Sequence, residues 1–236
     1  MNLILLFEED FVPGSNLARL TGRRQRHVIE VHRAGVGAEL QVGVAGGRIG
    51  RGRITRRDDE ALELEVTLDR APPAALPVTL VLALPRPKVL RRVLQASAAF
   101  GVKRIVLLST WRVERSFWSS PVLEPAALRE QLVLGLEQAG DTIMPEVLCR
   151  KLFKPFAEDE LPALAAGTLP LVAHPVAAES CPREVRGAVT LAVGPEGGFI
   201  AYEVDLLRAH GFTPVSLGTR RLRVEQVVPA LLARLF

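Results

Sequence analysis

"LAVGPEGGFI", Leu191 to Ile200, runs an apolar segment straight into Gly194-Pro195-Glu196-Gly197-Gly198. A continuous apolar run bounded by glycine and proline reads as a strand buried on both faces and ended by a tight loop. Glycine at a strand end reaches φ values that other residues avoid, and it has no Cβ to keep a ligand off the backbone. Alone, the loop is a turn. Two further segments, "LVAHP" (Leu171 to Pro175) and "SLGTRRLR" (Ser216 to Arg223), also read as strand ends, and the second carries a glycine. Ligands of open α/β sheets gather outside the C-terminal ends of the strands. Two glycine-bearing loops at such ends tilt the balance from a turn towards a ligand site.

The surrounding pattern supports a sheet of that kind. "VTLVLALP", "KRIVLLST", "LPLVAHP", "AVTLAVG" and "TPVSLG" are apolar strand candidates. Between them lie "PKVLRRVLQASAAFG", "PAALREQLVLGLEQAG" and "YEVDLLRAHG", which read as helices closing on glycine, and "VEQVVPALLARLF" is a terminal helix. Strands alternating with helices predict an α/β domain with a mostly parallel sheet. Ahead of it, "APPAALP" (Ala71 to Pro77) is a stiff connector. Residues 1–70 read as β-rich: Leu40, Val42 and Val44 alternate, as do Leu62, Leu64 and Val66, and Gly46-Gly47 suits a hairpin turn. "SNLARLTGRRQRHVIEVHRAGVG" reads as one or two short helices. The expected organisation is 1–70 as a first domain, 71–77 as a linker and 78–236 as the α/β domain.

Composition narrows the function classes. The chain has 236 residues, 48% of them apolar and 24% charged, which is enough to bury a core. No apolar run reaches the length of a membrane span. "MNLILLFEEDF" has no basic n-region, so a cytoplasmic location is expected. Cys149 and Cys181 stand in unrelated contexts and read as reduced thiols. His27 and His32 are five apart, the wrong spacing for neighbours on one α-helical face, and no metal is expected. The net charge of +4 comes mainly from arginine, and from Arg19 to Arg57 there are ten arginines but only Glu30 and Glu39 as acids. Such a field suits a polyanion, although a solvated basic face is an equal reading. There is no GK[ST] sequence, and no GxGxxG follows the first α/β strand, which argues against a P-loop and against an ordinary Rossmann methyltransferase or dehydrogenase.

The motifs resemble a known family. "GPEGG" with Glu203 five residues beyond Gly198, followed by "LGTRRLRVE", is similar to the 16S ribosomal RNA uridine-N3 methyltransferases (RsmE-like) of the SPOUT superfamily. "RHVIEVHRAGVG" matches that family's N-terminal pattern at His27, Val31, Arg33 and Gly37. "LQASAAFGV" matches at Gln95, Gly101 and Val102, and "EQAGDTIMPEV" at Glu137, Gln138, Gly140 and Pro145. The chain departs from the family where Ile200 replaces the Ser of a Ser-x-x-Glu capping box, removing that side-chain cap. It departs also at Gln226 (Thr in the family), His32 (Leu), Ala96 (Lys) and Ala99 (Glu). Pro229 must fall in the first turn of the last helix or at a kink.

The resemblance implies a small N-terminal PUA-like β-barrel for RNA binding and a C-terminal SPOUT domain, a parallel-sheet α/β domain with a trefoil knot. It implies S-adenosylmethionine as cofactor, a homodimer, and 16S rRNA of the small ribosomal subunit as partner. The positions carried over as cofactor contacts are Leu171, Gly194, Pro195, Glu196, Gly197, Gly198, Leu217, Gly218, Leu222 and Arg223. Arg223 is expected to stabilise negative charge on the uridine, with Glu225 orienting it or acting as base; Glu196 is the alternative base or simply holds its own loop. Arg19, Arg23, Arg24, Arg26, Arg33, Arg51 and Arg53 would grip rRNA phosphates. Two rival readings are a non-catalytic RNA-binding or assembly protein of this fold and a SPOUT enzyme acting on another RNA position.

Overall fold

A computed structural model describes residues 2–236. The chain forms two compact units, Met1–Ala74 with Val133–Met144, and Ala75–Leu132 with Pro145–Phe236. Nothing in the composition of Val133–Met144 marked it as part of the first unit.

The first unit holds strands β1 (Ile4–Leu6), β2 (Leu17–Leu20), β3 (Glu39–Val44), β4 (Ile49–Arg57) and β5 (Leu62–Arg70). They form a mixed sheet in the order β1-β3-β4-β5-β2, with β1 parallel to β3 and the other pairs antiparallel. The expected alternation is present: Leu40, Val42, Leu62, Leu64 and Val66 face one core with Ile4, Leu20 and Ile54. In the run Gly50-Arg51-Gly52-Arg53-Ile54 the arginines face solvent and the glycines face inward. A Cβ on Gly50 would lie 1.9 Å from the Thr67 carbonyl oxygen, so only glycine fits there. Leu17–Leu20 is a strand, not a helix, because its apolar residues complete the edge of this sheet beside β5.

Helix α1 (Gly22–His27) continues into one π-helical turn, Val28–His32. That wider turn replaces the α-helical spacing on which His27 and His32 were expected not to be neighbours. An i→i+5 turn brings residues five apart together, and the two rings lie edge to face with centroids 5.0 Å apart. Among the described residues no three His, Cys, Asp or Glu side chains come together as a metal site, and no helix is long and apolar enough to cross a membrane.

Val133–Met144 joins this unit through backbone and one buried carboxylate. The Glu137 carbonyl accepts from Asn2 and Leu3 N–H at 2.9 and 3.0 Å. The Thr142 hydroxyl donates to the Gly47 carbonyl at 2.6 Å. Glu137 Oε2 accepts from Arg23 at 2.8 Å, while Oε1 faces Leu5 N–H at 3.4 Å. Burial pushes the Glu137 carboxyl above the ordinary range, and Arg23 pulls it back only in part. The folded chain therefore holds this proton to higher pH than the unfolded chain. The stability it supplies is complete below about 4.3, the ordinary glutamate value, and is lost as pH rises through the raised folded value. Glu137→Gln, which cannot ionise, is expected to remove that decline. Urea unfolding of both proteins from about pH 4 to pH 7 measures the difference.

The second unit is a six-stranded parallel sheet flanked by helices. Its elements are β6 (Leu76–Ala83), α2 (Pro87–Ala99), β7 (Val102–Leu108), α3 (Pro125–Ala139, whose second half belongs to the first unit), β8 (Glu146–Arg150) and the short α4 (Phe153–Pro155) and α5 (Leu161–Ala165). Then follow β9 (Leu169–Ala173), β10 (Val189–Val193), α6 (Ala201–Ala209), β11 (Thr213–Val215) and α7 (Val224–Leu235). The strand order is β11-β9-β10-β6-β7-β8, parallel throughout. Leu80–Ala83, Ile105–Leu108 and all of β10 are buried, as continuous apolar runs require when helices cover both faces. β6 begins at Leu76, inside the expected linker. β8 and the turns from Phe153 to Ala165 were not among the expected elements: "EVLCRKL" is short and half polar, so its periodicity is faint. Cys149 and Cys181 are free, and burial pushes both thiols up.

Candidate functional site

Four neighbouring strands, β11, β9, β10 and β6, point their C-terminal ends at one edge of the parallel sheet. There they wall a cleft of about 720 Å³, a size that suits a small-molecule ligand. The loop Gly194–Gly198 forms one wall and Ser216–Gly218 with Arg220–Arg223 another. Val89, Val193 and Leu231 supply apolar surface.

The loop Gly194–Gly198 is held by its own backbone. Gly198 N–H donates to the Pro195 carbonyl at 2.8 Å. A Cβ on Gly194 would stand 3.0 Å from the Phe199 nitrogen, tight enough that the turn would have to give. Gly198 and Gly218 have φ of 71° and 110°, which L side chains rarely adopt. These glycines thus serve turn geometry and leave a side-chain-free cradle at the same time.

The expected cofactor positions gather there with one exception. Gly194, Pro195, Glu196, Gly197, Gly198, Leu217, Gly218, Leu222 and Arg223 all line the cleft. Leu171 lies inside β9 with 2% of its surface exposed, and from that strand end the cleft is lined by Ala173 to Val176. The reason is depth along the strand: Leu171 is two residues short of the end of β9 and packs within the sheet.

Arg223 is the N-cap of α7, with an extended backbone. Its N–H donates to Gln226 Oε1 at 3.1 Å, so Gln226 performs the reciprocal half of a capping box. The guanidinium makes no ion pair or hydrogen bond among the described residues. Glu225 does not orient it; Glu225 is largely buried and turned to Arg92 of α2 at 3.6 Å. Residues two apart at a helix start do not face each other. Glu196 holds the loop: its Oε1 accepts from the Arg86 N–H at 3.0 Å, joining the ends of β10 and β6. Pro229 lies well inside α7, beyond its first turn.

Ile200 is the N-cap of α6 and has no side chain to cap it. The other half of the box remains. Glu203, 2% exposed, accepts from Ile200 N–H at 2.9 Å through Oε2 and from Trp111 N–H at 2.7 Å through Oε1. It ties the loop after β7 to the loop after β10. The sequence reading missed Arg86 and Arg112 as cleft residues. Arg112 donates to the Gly197 carbonyl and packs over Gly197, where a Cβ would meet its Cδ at 2.9 Å. Its only sequence signal is its place just after a strand end.

The basic field of the first unit is less one-signed than the sequence suggested. Arg24 is bound to both Asp10 oxygens, at 2.5 and 2.7 Å, and is mostly buried. Arg23 pairs with Glu137 and Arg51 with Glu39. Register sets Arg19 opposite Glu63 on β5, and Arg53 between Glu39 and Glu65. Arg26 and Arg33 are exposed, Arg33 in the left-handed region at φ 53°.

Comparison with known proteins follows the same lines. The family model for the RNA methyltransferase domain matches residues 72–235. Ribosomal RNA small subunit methyltransferase E of Treponema pallidum is 30% identical over 238 residues, covering 99% of this chain and 90% of that one. The protein of the same name from Synechocystis is 27% identical, covering 92% and 71%. The fold matches the crystal structure of ribosomal RNA small subunit methyltransferase E from Neisseria gonorrhoeae bound to S-adenosyl methionine. That likeness has a TM-score of 0.72 at 22% identity and covers 98% of this chain and 95% of the other. With its parallel sheet, its glycine-walled cleft and these relatives, the chain belongs to the RNA methyltransferase domain family, among the ribosomal RNA small subunit methyltransferases E.

Proposed function

We propose that the protein transfers the methyl group of S-adenosylmethionine to N3 of a uridine in small-subunit ribosomal RNA. The observation that carries this reading is the cleft itself: a side-chain-free backbone cradle at the strand ends, with an unpaired guanidinium, Arg223, on its lining. The residues suit the cofactor. Apolar Val193, Leu217 and Leu222 would hold its adenine, and open backbone beside Gly198 and Gly218 would hydrogen-bond to the ring edge. When bound, the cofactor supplies an electrophilic methyl.

The chain's residues do the rest. Arg223, Gly194 to Gly198, Leu217, Gly218 and Leu222 are the contacts we assign. Arg223 would offset negative charge on the uridine carbonyl oxygens as N3 loses its proton. Arg86, Arg220 and Arg221, on the same lining, would receive the flanking phosphates. The target must be unpaired or pulled from its helix, since pairing blocks N3. Glu225, turned to Arg92, is read as a residue that fixes α7 against α2.

The first unit, Met1–Ala74 with Val133–Met144, is read as a PUA-like RNA-binding domain, and the second, Ala75–Leu132 with Pro145–Phe236, as the SPOUT domain. A trefoil knot in the second unit belongs to the same reading. A homodimer acting in the cytoplasm completes the reading. Incubation with small-subunit rRNA and labelled cofactor, followed by mass mapping of modified nucleosides, tests it; methyl at another position, or none, would sink it. In the first unit, Arg26→Ala with Arg33→Ala is expected to lower the salt slope of RNA binding by about 1–2, because each phosphate contact releases counterions. Arg24→Ala should not act this way, since Asp10 already occupies it.

A further inference from the structure

Beside the cleft, on the same unit, lies a second groove of about 720 Å³. The chain has two tryptophans and one tyrosine, and all three line this groove, as Trp111, Trp118 and Tyr202. Trp111 is 80% exposed and Tyr202 52%. Solvated aromatic surface gathered in one place marks an interaction site. Arg115, Lys151 and Lys154 line it too, and the Lys151 ammonium stands 5.9 Å from the centre of the Trp118 ring. The one lining carboxylate, Glu203, has both oxygens occupied by the Trp111 and Ile200 N–H groups. Lys154 has only an exposed neighbour, Glu158, at 3.8 Å. Two buried polar atoms of the lining, Thr110 Oγ1 and Trp118 Nε1, have no hydrogen-bond partner among the described residues, although Thr110 is 6% exposed.

The groove abuts the cleft. Trp111 lines the groove and Arg112 the cleft; Phe199 lines the cleft and Ile200 the groove. The Phe153 and Phe199 rings, 6.5 Å apart, stand where the two cavities meet. Ile200, where the resemblance would place Ser, adds apolar surface to this groove.

We propose that this groove binds single-stranded RNA next to the target nucleotide, stacking bases on Trp111 and Tyr202 with phosphates beside Arg115, Lys151 and Lys154. Aromatic faces interleaved with cations are what an unpaired polynucleotide needs: rings for bases of any sequence and charge for the backbone. A second copy of the chain fits less well, because two such faces would oppose like charges. The proposal rests on reading the neighbouring cleft as the methyl-transfer site.

The two tryptophans make the site report on itself. Titrating the full chain with a uridine-rich single-stranded RNA of about ten nucleotides is expected to quench tryptophan fluorescence. Trp111→Ala and Tyr202→Ala are each expected to weaken that RNA about 10-fold by anisotropy, and Trp111→Phe to restore most of the loss. Cofactor affinity should stay unchanged in all three. Both side chains are solvent-exposed, so the variants keep the fold, and circular dichroism checks this. If both alanine variants bind RNA as tightly as the unsubstituted protein, the proposal is overturned, whatever the cleft does. If Trp111→Ala instead splits a dimer in sedimentation while RNA affinity holds, the groove is an interface between copies and the proposal is likewise overturned. If the protein transfers no methyl to rRNA yet RNA still quenches and the variants still lose affinity, the groove stands and the reading of the cleft falls.

Discussion

Arg223→Ala is expected to lower methyl transfer about 100-fold or more while cofactor affinity falls less than about 10-fold. The split follows from geometry. The Arg223 backbone belongs to the cleft wall and to the start of α7, where its N–H meets Gln226 Oε1. Alanine keeps that bond and the helix. What it removes is a guanidinium that no described residue engages, on the lining of the cleft. On the proposed reaction its charge counts most when the uridine becomes anionic, so the loss would fall on turnover more than on ground-state binding. Arg223→Lys returns the charge but not the planar fork, and an intermediate rate is expected. Single-turnover kinetics with small-subunit rRNA, beside calorimetric titration of the cofactor, separate the two quantities. Turnover equal to that of the unsubstituted protein would remove Arg223 from the chemistry.

Glu203→Ala is expected to destabilise the second unit by about 2–4 kcal/mol. The carboxylate is 2% exposed and accepts from two backbone N–H groups, those of Trp111 and Ile200. Removing it orphans two partly buried donors and deletes the remaining half of the α6 cap. Thermal unfolding should drop by roughly 5–15 °C. The same change loosens the loops after β7 and β10, which carry Arg112 and Gly197, so cofactor affinity should fall with stability. Glu203→Gln keeps one acceptor and should lose about half as much. A melting temperature unaltered in Glu203→Ala would show that the two loops do not depend on this tie.

These two residues mark the division between what could be read and what could not. Glu203 was visible as half of a capping box, because helix starts write their hydrogen bonds at fixed short spacing. Its second bond, to Trp111, was invisible, since 92 residues separate the partners. Gln226 looked like a missing hydroxyl, yet three residues from Arg223 its amide oxygen accepts from the N-cap N–H. Glu225 shows the converse. Sequence proximity suggested a pair with Arg223, but the helical turn aims it at Arg92 on another helix.

The same logic governs the two units. Burial on both faces makes β6, β7, β9 and β10 continuous apolar runs, so the parallel sheet and the strand ends that wall the cleft were legible in the sequence. Period-two alternation did as much for β3 and β5. Charge was not legible in that way: ten arginines in one stretch looked one-signed until strand register set Glu39, Glu63 and Glu65 among them and folding buried Asp10 against Arg24. Nor did any local pattern show that Val133–Met144 belongs with the first unit, since Glu137 and Thr142 find their partners more than ninety residues away. By itself the sequence determined the parallel sheet, its glycine loops and most of the residues of the cleft, because these rest on contacts within a few residues and on burial. Only the tertiary structure decided which charges are free, which carboxylates are ties, and that the chain's tryptophans and tyrosine share one groove, because each of those depends on pairing across the chain.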